Sequence, residues 1–142
     1  MSEIITQITI DAPRKQVWEV LTNFHRYKDW NPFIRSLKGD FHLEGRMQAS
    51  IGPPEKAWKF DVTIVELNRP TTFAWKGSLP LGLFKGQHYF KLEALNSMQT
   101  KLIHGEKFSG LLSWFIFQQI KAETTRGFQK MNEALKKEIE IA

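Results

Sequence analysis

Residues 104–110 read His-Gly-Glu-Lys-Phe-Ser-Gly. In an extended chain side chains alternate between faces, so His104, Glu106 and Phe108 point the same way. A histidine beside a glutamate can move protons. Burial raises the carboxyl pKa, and a neighbouring imidazolium lowers it. A second histidine, His88, lies on the preceding strand-like segment, Leu83–Leu95, together with Phe90 and Leu92. A three-residue loop, Asn96 to Met98, sets Phe90 opposite His104 and His88 opposite Glu106. Opposed residues bring their Cβ atoms to about 4.5–5.5 Å. A shift by two sets His88 opposite His104 instead. Either register gathers His88, His104 and Glu106 among aromatic rings, as candidate acid–base residues or as polar contacts for a ligand. Two His and one Glu also match a zinc triad. They come without HxH or HExxH spacing, so no metal is expected.

These residues need a frame. The 142 residues make one domain, 1–142, with room for a real core. Aromatic content is 13%, with 5 Trp and 11 Phe, which suits a core and also the wall of an apolar cavity. The absence of cysteine excludes disulfides, Cys-type zinc sites and a Cys nucleophile. Net charge is +5, but the Lys and Arg residues are scattered singly and the densest run is Lys136-Lys137. That is a solvated basic surface and not a nucleic-acid footprint. With no signal-peptide pattern and no apolar run of membrane-spanning length, a soluble cytoplasmic protein is expected.

Alternation over residues 2–10 predicts a strand, with Ile4, Thr6, Ile8 and Ile10 on one face. A short helix follows, with Asp11 as cap, Pro13 in its first turn, and Val17, Val20, Leu21 and Phe24 at helical spacing. A second short helix ends at Pro32. Six strands are predicted next: Ile34–Lys38, Arg46–Ile51, Ala57–Leu67, Thr71–Gly77, Leu83–Leu95 and Gln99–Phe108. Turn residues separate them, which makes the sheet antiparallel. A long helix, Leu111 to Ile139, closes the chain, with Trp114, Phe117, Ile120, Thr124, Phe128, Met131 and Leu135 as its apolar stripe. Gly127 in mid-helix marks a close approach or is merely tolerated. Leu112, Phe115 and Ile116 lie off the stripe. They are read as buried against the N-terminal helices, with a dimer contact or transient membrane docking as the alternatives.

The order of elements, with VWEVLTNFHRYKDWNPF near the start, GQHYFKLEAL before the last hairpin and TKLIHGEKFSGLLSWF leading into the last helix, resembles the SRPBCC superfamily, the START / Bet v 1-like proteins. The polyketide cyclase/dehydrase and lipid transport branch is the most similar. The resemblance implies an α+β helix-grip fold: a curved seven-stranded antiparallel sheet wrapped round a long C-terminal helix, with two short helices after strand 1. It implies a hydrophobic pocket between sheet and helix and no cofactor. It carries over no catalytic residue. Expected pocket residues are Trp30, Trp58, Phe60, Phe73, Trp75, His88, Phe90, His104, Glu106, Phe108, Trp114 and Phe117. Trp30 is expected either to plug one end of the cavity or to fill a core at a helix stop. Residues 78–83 form an apolar loop that gates the mouth or simply joins two strands. The expected partner is a small hydrophobic ligand, held by a monomer or homodimer. A cyclase/dehydrase-like enzyme using the same His/Glu cluster and a co-chaperone-like partner module are the alternatives.

Overall fold

The computed structural model describes residues 2–141, the side chain of Pro54 excepted. Strand β1 (Ser2–Ile10) leads into helix α1 (Arg14–Leu21). A 3-10 turn (Phe24–Arg26) runs into the short helix α2 (Tyr27–Trp30). Strands β2 (Ile34–Gly39), β3 (Arg46–Ile51), β4 (Trp58–Asn68), β5 (Thr72–Ser78), β6 (Lys85–Asn96) and β7 (Gln99–Ser109) follow. Helix α3 (Ser113–Ile141) ends the chain. All seven strands form one antiparallel sheet in the order β1-β7-β6-β5-β4-β3-β2. This is the expected helix-grip arrangement.

Two local expectations need correction. Asp11 does not cap α1. Pro13 occupies the cap position without a side-chain bond, and the Asp11 carboxylate instead accepts from Gln99 Nε2. The β6–β7 register is the first of the two expected, with His88 opposite Glu106 and Phe90 opposite His104. Its turn differs: Asn96 pairs with Gln99 across a two-residue turn, and an irregularity between Ala94 and Asn96 absorbs the extra residue. A bulge of this kind preserves the face alternation on which the site depends.

Helix α3 rests mainly on β1 and β7, while α1 lies beside α3 and β6. The core they enclose contains Ile10, Val17, Trp18, Leu21, Phe73, Phe90, Leu92, Leu102, Met131 and Leu135. The inward residues Val62 and Ile64 of β4 are buried, and Lys59 and Asp61 on its other face are exposed. Gly127 has a clear role. A Cβ there would lie 2.4 Å from the Phe33 ring, so the glycine lets Phe33 press against the helix. Phe33 in turn meets Phe128 edge-on at 5.4 Å.

Candidate functional site

The inward faces of β6 and β7 carry His88, Phe90, His104, Glu106 and Phe108, as alternation requires. His104 is fully buried and His88 is 2% exposed. Aromatic rings enclose them. His104 stacks on Phe128 at 4.1 Å and on Phe90 at 4.4 Å, and His88 stacks on Trp75 at 4.7 Å. The two imidazoles meet through their Nε2 atoms at 2.7 Å. Nδ1 of His104 lies 2.8 Å from Oδ1 of Asn132 on α3. Asn132 Nδ2 donates to Thr6 Oγ1 at 2.9 Å, and Thr6 Oγ1 donates to the His104 carbonyl at 2.8 Å. At the other end, His88 Nδ1 faces Glu106 Oε1 at 3.6 Å.

Glu106 differs from the histidines in exposure. One-fifth of its side chain remains accessible. Its carboxyl lies over Gly86, where a Cβ would come within 2.3 Å of Oε2, so only glycine leaves room for it. Burial pushes its pKa up to about 8, and burial pushes that of His88 down to about 3. His104 is held well below the usual imidazole range by burial, with His88 adding to the effect and the Asn132 bond opposing it. All these shifts favour the uncharged forms.

The remaining expected residues divide into four groups. Phe73, Trp75 and Phe90 are buried beside the histidines, with Phe73 and Phe90 stacked at 4.9 Å. Phe108 is buried in a second cluster with Ile4 and Phe128, against which Phe117 and Phe84 pack. Trp30 joins the main core, edge-on to Tyr27 at 5.2 Å. Its Nε1 and the neighbouring Asn31 Nδ2 are buried donors without a partner. Trp58 and Trp114 remain 73% and 61% exposed, and Phe60 is exposed beside Trp58 on the same face of β4. Leu112 and Phe115 are exposed too, so the expected burial of that turn against the N-terminal helices does not occur.

Trp58, Phe60, Leu112, Trp114 and Phe115 lie toward one end of the sheet, marked by Ile51, Trp58, Ser78, Lys85 and Ser109. The loop between β5 and β6 carries Leu79 and Leu81 and is bonded to the entrance of α3. Leu112 N–H donates to the Leu83 carbonyl at 2.8 Å. Gly110 permits this, because a Cβ there would lie 2.7 Å from the same carbonyl. The loop and the helix entrance are thus one unit. A groove of about 480 Å³ opens elsewhere, beside Phe24, Leu37, Phe41 and Met47, and none of the expected residues lines it. Among the described residues no group of three or more His, Asp or Glu is placed to hold a metal. Among the described residues no helix is long and apolar enough to cross a membrane.

Thr6 and Asn132 were not expected as site residues. Thr6 interrupts the isoleucines on the inward face of β1. Asn132 lies four residues after Phe128, on the apolar side of α3. A polar residue on an apolar stripe is the signal that marks both.

The sequence from residue 1 to 140 matches the family described as Polyketide cyclase / dehydrase and lipid transport. The chain belongs to this family. Comparison with curated proteins gave no match. Among solved structures, the Zhui aromatase/cyclase of a Streptomyces species superposes with a TM-score of 0.78 at 15% identity, over 98% of this chain and 93% of that one. A truncated norcoclaurine synthase from Thalictrum flavum gives 0.75 at 10% identity, over 99% and 94%. A hypothetical protein from Helicobacter pylori gives 0.78 at 10% identity, over 97% and 88%. At these identities the likeness to this family member is one of fold.

Proposed function

We propose that this protein binds a small apolar ligand at the open end of its sheet, between the inward face of β4 and the first turns of α3. The observation that carries the reading is the exposure of Trp58, Phe60 and Trp114 on faces that are buried elsewhere. Val62 and Ile64 continue the face of Trp58 and Phe60 into the core, and Phe117 and Ile120 continue the stripe of Trp114. Burying apolar surface is worth roughly 25 cal/mol per Å², so two exposed indoles and a phenyl ring favour an apolar occupant. An apolar wall with a few polar groups is the usual composition of a ligand site. Here the polar group is Glu106, the member of the His/Glu cluster that keeps accessible surface.

An acid–base enzyme is the second reading, and the geometry narrows it to Glu106. The imidazole nitrogens of His104 are both engaged, and His88 is buried. Proton transfer to or from a ligand would therefore run through the carboxyl. The family description and the cyclase neighbour support this reading no further than the fold.

Native mass spectrometry of protein purified without detergent tests the binding reading. The expected result is retained apolar ligand, or uptake of an added fatty acid or naphthol, that falls by about tenfold in affinity in the Trp58→Ala, Trp114→Ala double variant. Equal uptake by wild type and double variant would overturn this location of the site.

A further inference from the structure

The buried chain of hydrogen bonds has a direction, and that direction fixes a proton at its outer end. The hydroxyl proton of Thr6 goes to the His104 carbonyl. Thr6 Oγ1 is then an acceptor, and Asn132 must turn its amide N–H toward it. That leaves Asn132 Oδ1 facing His104 Nδ1, so Nδ1 carries a hydrogen. A neutral His104 then accepts at Nε2, and His88 must donate from its own Nε2. A neutral His88 has only a lone pair left at Nδ1, and this lone pair faces Glu106 Oε1. At 3.6 Å the contact is a close approach and not a hydrogen bond, and a proton on Oε1 removes the repulsion between the two facing lone pairs.

The alternative moves one proton along the chain. Glu106 becomes a carboxylate, and His104 becomes an imidazolium stacked between Phe90 and Phe128. Facing the chain from the inside, β1 contributes Ile4 and Thr6, β5 contributes Trp75 and α3 contributes Phe128 and Asn132. None of these stabilises a buried cation by charge, so the neutral arrangement is favoured. The nearby ionisable groups Glu3, Tyr89 and Lys107 lie on the outer face of the sheet.

We propose that Glu106 faces the ligand cleft as a neutral carboxylic acid, oriented by the chain Thr6–Asn132–His104–His88, and that its free oxygen accepts from a neutral hydroxyl group of the apolar ligand in preference to an ammonium. The assignment rests on the binding reading for the ligand and on hydrogen-bond polarity for the proton. His88, His104, Asn132 and Thr6 are positioning residues: they act on the ligand through the state of Glu106. Gly86 belongs to the same subsite, because its missing side chain leaves the carboxyl room to lie there.

Nitrogen and carbon NMR of the full chain, labelled in His and Glu, tests the proton assignment without any ligand. At neutral pH His104 is expected as the Nδ1–H tautomer and His88 as the Nε2–H tautomer. The Glu106 carboxyl carbon is expected to show the protonated form, with a midpoint near 8. The Glu106→Gln variant, whose amide donates as the acid does, should leave both tautomers unchanged. Matching tautomers in the two rings, an imidazolium at neutral pH, or a Glu106 midpoint near the ordinary carboxylate value of about 4.3 would overturn it.

The ligand half is read separately with 2-naphthol and 2-naphthylmethylamine, which share an apolar body. Naphthol is expected to bind wild type and Glu106→Gln within about threefold of each other, and the ammonium probe at least about tenfold more weakly. Tighter binding of the ammonium probe to wild type overturns the stated preference. If neither probe binds while the tautomers stand as stated, the binding reading fails and the proton assignment holds.

Discussion

The two ends of the inward sheet face are finished in different ways. At the end marked by Ile10, Thr100, Leu92 and Phe73, every one of these side chains is buried, and α1 and the second half of α3 cover them. At the other end the same face continues through Trp58 and Phe60, and the stripe of α3 continues through Trp114, yet these residues meet solvent. One face is used first to hold the fold together and then to offer apolar surface. Between the two lies the histidine chain, sealed on the inner side by Phe128 and ending on the outer side at Glu106. Stability should therefore be concentrated inward of Glu106, and ligand affinity outward of it.

The largest effect is expected from Phe128→Ala. This ring is fully buried, stacks on His104 and meets His88 at a tilt, so its removal leaves a cavity and should cost about 3–5 kcal/mol by denaturant titration. A loss under about 1 kcal/mol would mean that the sealed region is not part of the core. Asn132→Leu comes next. It strands the His104 Nδ1–H and removes the donor to Thr6, for an expected loss of about 2–3 kcal/mol.

Glu106 gives a smaller effect with a definite pH signature. Its folded pKa of about 8 lies above the ordinary value, so the folded state binds the proton more tightly than the unfolded chain. This contribution is full below the unfolded pKa and is lost as pH rises through about 8. The histidines act in the opposite sense. Their lowered folded pKa values cost stability as pH falls below the unfolded imidazole value of about 6.5. Wild-type stability should therefore peak near pH 6.5 and fall by about 2 kcal/mol toward pH 9, and Glu106→Gln should lack the alkaline fall. An identical alkaline slope in both proteins would contradict a protonated Glu106. The smallest stability effect belongs to Trp58→Ala and Trp114→Ala, each expected within about 0.5 kcal/mol of wild type because the rings are exposed.

The fold and the His/Glu cluster were legible in the sequence, for identifiable reasons, and the division between the two ends was not. Strand alternation placed His88, His104 and Glu106 on one face, and hairpin counting left two registers, of which the structure has the one with His88 opposite Glu106. The family resemblance supplied the helix-grip topology, and the structure agrees. Alternation says which way a side chain points but not how far the covering helix reaches. Trp58 and Phe73 are both inward residues, yet one is exposed and the other buried, because Trp18 of α1, Phe24 and Phe41 pack on Phe73 while Trp58 begins β4 at the uncovered end. The tautomers depend on Asn132, which is 28 residues from His104 along the chain, and on Thr6, 98 residues away. Such long-range partners leave only the weak signal of a polar residue on an apolar stripe.

The central claim is that the open end binds and the closed end does not, and the five tryptophans report on it directly. Trp58 and Trp114 are exposed at the open end, Trp18 and Trp75 are buried, and Trp30 is in the core. An NMR titration of the indole N–H signals with 2-naphthol separates them. Saturable shifts of Trp58 and Trp114 are expected, with Trp18 and Trp30 unmoved. Shifts centred on Trp18 or Trp30, or no saturable shift at all, would contradict the claim.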